Sequence, residues 1–170
     1  MGGRGSSFKT KSKVNYVQTI DISDEDAVKS YSKQMLDGLA EYKGYEECVI
    51  IAKNGDVFYV SGDEYSIEIP DKYNKMAKYD YHNHPHDTNR SFSSEDISSW
   101  SVGVEYFLTD GQYNYHAKVL KKIPFDPYLL GKAYDYAMKN EIENDDDQHL
   151  QCLYLKSEGY INYERMERHT

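Results

Sequence analysis

The sequence predicts an α/β chain of the α+β kind, with a mixed, largely antiparallel sheet flanked by helices. Three observations carry this. An acid-led stretch comes first in which Val28, Tyr31, Met35 and Leu39 fall at helical spacing on one face. Short β-branched and aromatic runs follow in pairs, with turn signals at Asn54-Gly55 and at Asp110-Gly111. Helical patterns then return towards the C-terminus, so helices must lie against a sheet.

Each element has its own signal. The first dozen residues, rich in Gly, Ser and Lys, bury nothing, and residues 1–13 read as a flexible tail. Met1 to Ser6 also fits an N-myristoylation pattern, but the tail is the simpler reading. Ordered structure is expected from about Val14, as one domain spanning 14–170. Ser23 before Asp24-Glu25-Asp26 reads as an N-cap, predicting a helix over 24–41 that ends by Gly44. Cys48–Ala52 and Val57–Val60 read as two antiparallel strands. Tyr65 to Ile69 alternates as a strand up to Pro70, and Lys78 to Tyr81 enters His82-Asn83-His84-Pro85 as another. A short helix is expected from Ser93 to Trp100, and a hairpin from Val104 to Leu120. Pro124, Asp126 and Pro127 mark a break and a new N-cap, followed by a helix over about 127–140 with Leu130, Tyr134 and Met138 on one face. The acidic stretch Glu143 to Asp147 reads as a solvated linker. A last helix carries Leu150, Leu153 and Tyr154 and ends at Gly159.

Composition narrows the function. There are 29 acidic against 20 basic residues, a formal net charge of −9, and no basic cluster stands out in the ordered region. Nucleic acid is an unlikely partner on this count, because neutralised phosphates supply most of that affinity. Two cysteines, Cys48 and Cys152, cannot build a disulfide framework, and a reducing cytoplasm is the default. No run of about 18 apolar residues is present to span a membrane. The 18 tyrosines leave the core thin in aliphatic side chains.

The chemistry concentrates between positions 82 and 96. Side chains of a strand alternate, so His82 and His84 point to one side and can grip one metal ion. Asp96, twelve residues later, can return a hard oxygen ligand. Two imidazoles and a carboxylate, with a fourth position for water, make the donor set of an open zinc site. The same residues also have a structural reading. Ser93-x-x-Asp96 is a capping-box variant that would hold a helix start with or without a metal, and the two roles are compatible. His86 reads as a loop residue or an alternative ligand. His116, His149 and His169 show no partner and read as structural or exposed.

His82-Asn83-His84-Pro85 followed by Ser93-Ser94-Glu95-Asp96 resembles the His-x-His-Pro…Ser-x-x-Asp signature of the JAB/MPN (JAMM) zinc metalloprotease superfamily. The wording is especially similar to the bacterial and phage-associated, RadC-like members. The resemblance covers about residues 44–122. Eight residues separate His84 from Ser93 where the usual pattern has seven, an insertion a loop can absorb. It implies a JAB/MPN-like (cytidine deaminase-like) core and Zn²⁺ held by His82, His84 and Asp96, with water in the fourth position. It also implies a glutamate on an upstream strand as general acid/base, and Glu46 and Glu47 are the candidates. Adjacent strand residues face opposite ways, so only one can reach the site; Glu46 is favoured and Glu47 is the alternative. Ser93 would donate a hydrogen bond to the developing oxyanion.

The implied activity is hydrolysis of a peptide or isopeptide bond in a peptide or protein substrate. Two other readings stay open: a non-catalytic metal-binding interaction module of a phage or mobile-element protein, and a RadC-like DNA-processing factor, which the −9 charge opposes. Tyr79 and Tyr81 beside the histidine strand, with Tyr113 and Tyr115 in the next hairpin, suggest a tyrosine rim for an extended peptide.

Overall fold

The Asn54-Gly55 hairpin forms as expected in the computed structural model, which describes residues 12–41, 43–63, 67–84 and 90–169. In chain order the elements are β1 (Lys13–Thr19), α1 (Glu25–Leu39), β2 (Glu47–Ala52), β3 (Asp56–Ser61), α2 (Asp71–Met76) and β4 (Ala77–Asn83). They continue with α3 (Ser94–Ser99), β5 (Glu105–Thr109), β6 (Tyr113–Val119), α4 (Leu129–Lys139), α5 (Asp147–Ser157) and β7 (Ile161–Glu167). Gly55 is required at the turn between β2 and β3. Its φ is +93°, and a Cβ there would meet the Ile20 carbonyl oxygen at 2.1 Å. Residues 1–11, and with them most of the tail and the myristoylation reading, lie outside the described residues, while Lys13 already belongs to β1.

The strands form one seven-stranded sheet in the order β1-β3-β2-β4-β5-β6-β7. Every neighbouring pair is antiparallel except β4 and β5. A parallel pair needs a crossover connection, and here that connection contains α3. The mixed, largely antiparallel sheet flanked by helices is therefore present. Val49, Ile51, Val57 and Tyr81 face α1, packing against Leu36 and Leu39. On the opposite face Cys48, Ile50, Leu108, Tyr115 and Ala117 pack with Phe92, Ile97 of α3 and Cys152 and Leu155 of α5.

Several expectations are corrected. Asp24, not Ser23, caps α1: its Oδ1 accepts from the Asp26 and Ala27 amides, each at 3.1 Å. Ser23 Oγ is instead engaged with Asp21 Oδ1 at 2.6 Å. Ile67 to Pro70 is not a strand, while Tyr65 and Ser66 lie outside the described residues. Both edges of β3 are already taken, by β1 and β2, and Ile67 and Ile69 pack onto the core as irregular chain. β1 and β7 carry no hydrophobic signal strong enough to read; β1 is exposed along almost its whole length and exists through its pairing with β3. The buried face of α4 is Ala133 and Ala137, and Tyr134 and Met138 point outward. Small residues allow close approach to Leu150 of α5. The Glu143–Asp147 stretch is not merely solvated, because Asp146 is buried and caps α5 through the Gln148 amide at 2.9 Å.

Candidate metal centre

β4 carries His82 near its C-terminal end, and His84 follows directly after the strand. The β2–β4 register sets Cys48 opposite His82 and Ile50 opposite Asp80, so Asp80 and His82 share the face that meets α3 and α5. Pairing to β5 extends one residue beyond the strand, with the His84 amide donating to the Thr109 carbonyl at 2.9 Å. His84 is thereby held in phase with His82. α3 brings the third group. Ser93 Oγ accepts from the Asp96 amide at 3.0 Å, and the Ser93 amide donates to Asp96 Oδ2 at 2.8 Å, a complete capping box.

One oxygen of Asp96 thus makes the capping bond and also faces both histidines. Asp96 Oδ2 lies 3.5 Å from His82 Nε2 and 3.3 Å from His84 Nε2. A tetrahedral zinc site with bonds of about 2.1 Å has ligand-to-ligand edges of about 3.4 Å. His82, His84 and Asp96 form a group that can hold a metal ion, with one ligand atom from each within 4.8 Å of the others. The fit is also chemical. His82 Nε2 is buried and makes no hydrogen bond among the described residues, an arrangement a metal would resolve. The His84 Nδ1–H donates to the Arg90 carbonyl at 3.1 Å, which turns Nε2 to Asp96 as the nitrogen that could ligate a metal. His82 Nδ1 has Asp80 Oδ1 behind it at 3.6 Å, and the Cys48 thiol donates to that same oxygen.

The electrostatics favour a cation at this point. Burial alone would lower the His82 pKa, yet the carboxylates of Asp96 and Asp80 override it and hold it at about 10. Burial would raise Asp96, and the two histidines more than reverse that, keeping it well below the usual carboxylate range. The carboxylate that would hold a proton on His82 would equally attract a metal.

The glutamates separate by face. Glu46 precedes β2 in phase with Cys48, and its amide and carbonyl continue the pairing with β3 through Asp63 and Gly62, each at 2.9 Å. Burial raises its pKa to about 7, opposed by His84 and His82 and assisted by Asp96 and Asp63. Glu47 is buried on the α1 side, where Tyr59 donates to its Oε2 and Lys43 Nζ lies 2.9 Å from its Oε1.

Two neighbours of the site escaped the sequence reading. Asn83, the middle residue of His82-Asn83-His84, accepts from the Glu47 amide at 2.6 Å and donates to the Tyr45 carbonyl at 3.2 Å. It ties the chain that bears Glu46 to the end of the histidine strand. Asp80 supports His82; its position two residues before a candidate ligand was the available signal.

The tyrosine rim is not formed. Tyr79 and Tyr81 alternate with His82 and so face α1; Tyr81 is fully buried, with Ser32 as its hydroxyl partner. Tyr115 is buried and donates to Asp110, while Tyr113 lies beneath the Arg165 guanidinium. His116 has partners after all, Glu105 at 3.0 Å and the Phe107 ring stacked on it. His149 is hydrogen-bonded to Tyr163, and His86 lies outside the described residues. Among the described residues no helix is long and apolar enough to cross a membrane. Compared with protein-family models, curated proteins and solved structures, the chain matches none.

Proposed function

We propose that the protein is a zinc-dependent hydrolase of peptide or isopeptide bonds, the activity implied by the JAB/MPN resemblance. One observation carries the reading. Two histidine nitrogens and a carboxylate oxygen lie within 4.8 Å of one another, the oxygen 3.5 and 3.3 Å from the two nitrogens, on the sheet face that also bears Glu46. His82, His84 and Asp96 would hold the ion, and three protein donors leave a position for water. A metal bound there would supply Lewis acidity, lowering the pKa of that water and polarising an amide carbonyl.

The protein's own groups handle the protons. Glu46, in phase with Cys48 and so on the face of His82, is placed to accept a proton from the attacking water and return it to the leaving amine. Ser93 Oγ uses a lone pair on the Asp96 amide, so its hydroxyl proton stays available to an oxyanion developing beside the start of α3. Glu47, tied to Tyr59 and Lys43 on the other face, takes no part.

The test joins metal analysis to hydrolysis of fluorogenic peptides and lysine-linked isopeptides. Wild type purified with zinc should hold about one equivalent, and His82→Ala should lose it. Glu46→Gln should keep the metal and lose roughly 10²-fold or more in turnover. Wild type with less than about a tenth of an equivalent would remove the metal reading. Full zinc with no hydrolysis of any substrate would leave a non-catalytic module instead.

A further inference from the structure

Residues 90–93, just before α3, bring three groups to the metal centre without being a strand or helix themselves. The Arg90 carbonyl fixes the His84 ring, the Phe92 ring lies 5.8 Å from that of His82, and Ser93 caps the helix that bears Asp96. Their anchors are distant in sequence. Ser91 is fully buried, and its amide donates to Asp146 Oδ2 at 2.7 Å. Ser91 Oγ and the Tyr163 hydroxyl are 2.8 Å apart, and that hydroxyl lies 2.7 Å from His149 Nδ1. Ser94 Oγ donates to Gln151 Oε1 at 3.3 Å. Every one of these partners belongs to α5, its cap or β7, beyond the stretch that resembles the metalloprotease signature.

Asp146 divides its two oxygens between the two units. Oδ1 takes the Gln148 amide and starts α5, while Oδ2 takes Ser91. We propose that Asp146 is a positioning residue for the metal centre: through Ser91 it sets the placement of residues 90–94, and so how His84 and Asp96 meet. The inference rests on His82, His84 and Asp96 being metal ligands. The C-terminal helix and strand are then part of the site's construction, and metal binding and their order are reciprocally coupled.

Asp146→Ser tests the positioning role. A serine retains an oxygen for the Gln148 amide and can still cap α5, but it is too short to serve Ser91 as well. Zinc affinity, measured on the full chain by competition with a zinc-binding dye, should fall about 10- to 100-fold, the usual effect of removing an outer support of a ligand. The urea midpoint should fall as well, because the buried Ser91 amide loses its acceptor, so zinc affinity is compared well below that midpoint, where both proteins are folded. Tyr163→Phe, which removes the hydroxyl partner of Ser91 Oγ, should weaken zinc in the same direction. Wild-type affinity in a folded Asp146→Ser variant overturns the proposal.

A measurement on wild type needs no variant to fold. Adding zinc to metal-free protein should slow amide hydrogen exchange both in residues 90–94 and in 146–152. Slowing confined to the histidine strand and α3 overturns the coupling. Failure of the metal reading has a different mark, since wild type would then bind no zinc at all.

Discussion

At the scale of single residues, alternation along a strand does most of the sorting. Glu46 and Glu47 are chemically identical neighbours, yet one faces the histidines and the other is enclosed beneath α1 by Tyr59 and Lys43. Their substitutions should therefore separate. Glu47→Gln should leave zinc content and hydrolysis intact while costing about 1–3 kcal/mol in urea unfolding, because it weakens a buried charge-assisted pair. Glu46→Gln should keep zinc and stability and lose roughly 10²-fold or more in turnover. Equal loss of activity in both variants would contradict the assignment by face. Asp80 and Asn83 belong to this scale too. Asp80 lies behind His82 at 3.6 Å, and Asn83 holds the chain before β2 through the Glu47 amide and the Tyr45 carbonyl.

At the scale of elements, the six-residue α3 is too short to be stable alone and depends on its cap. Ser93→Ala should cost about 1 kcal/mol, since the Asp96 amide loses its acceptor. Ser93→Gly should cost only a few tenths, because glycine is a tolerated cap. If the hydroxyl also serves the oxyanion, both variants should lose turnover alike, by roughly 10²-fold or more. Activity that follows stability from one variant to the other would restrict Ser93 to capping. The α4 helix shows how an element can form where expected and still present another face. Leu130, Tyr134 and Met138 satisfy helical spacing, but α5 lies so close that only Ala133 and Ala137 fit between them.

At the scale of the whole molecule, α5 and β7 complete the structure by covering one sheet face and extending the edge at β6. His149 sits at this junction. Burial, with the Arg165 guanidinium adding to it, lowers its pKa from 6.5 to about 4, so its ring is neutral in the folded protein at pH 7. The unfolded chain binds that proton more readily, so stability from His149 is full above about pH 6.5 and is lost as the pH falls towards 4. The loss should be on the order of 1–2 kcal/mol once solvent screening of a part-exposed ring is discounted. Urea unfolding at pH 7.5, 6 and 4.5 should show it as a slope that His149→Gln reduces. An unchanged slope in that variant would assign the acid sensitivity to other groups.

Local signals determined a good deal. Acid-led helical spacing marked α1, an Asn-Gly turn marked the β2–β3 hairpin, and the His82, His84 and Asp96 donor set with its capping serine could be read directly, because each depends on residues close together in the chain. Tertiary structure alone decided the rest. β1 is a strand only because β3 had a free edge, and Ile67 to Pro70 is not one because that edge was then closed. Which glutamate faces the histidines was settled by the pairing register of β2 with β4. An aspartate in an acidic run became a buried support for Ser91, 55 residues away. Periodicity reports which face of a segment is apolar, but not what will be packed against it; that choice is made where elements distant in sequence meet.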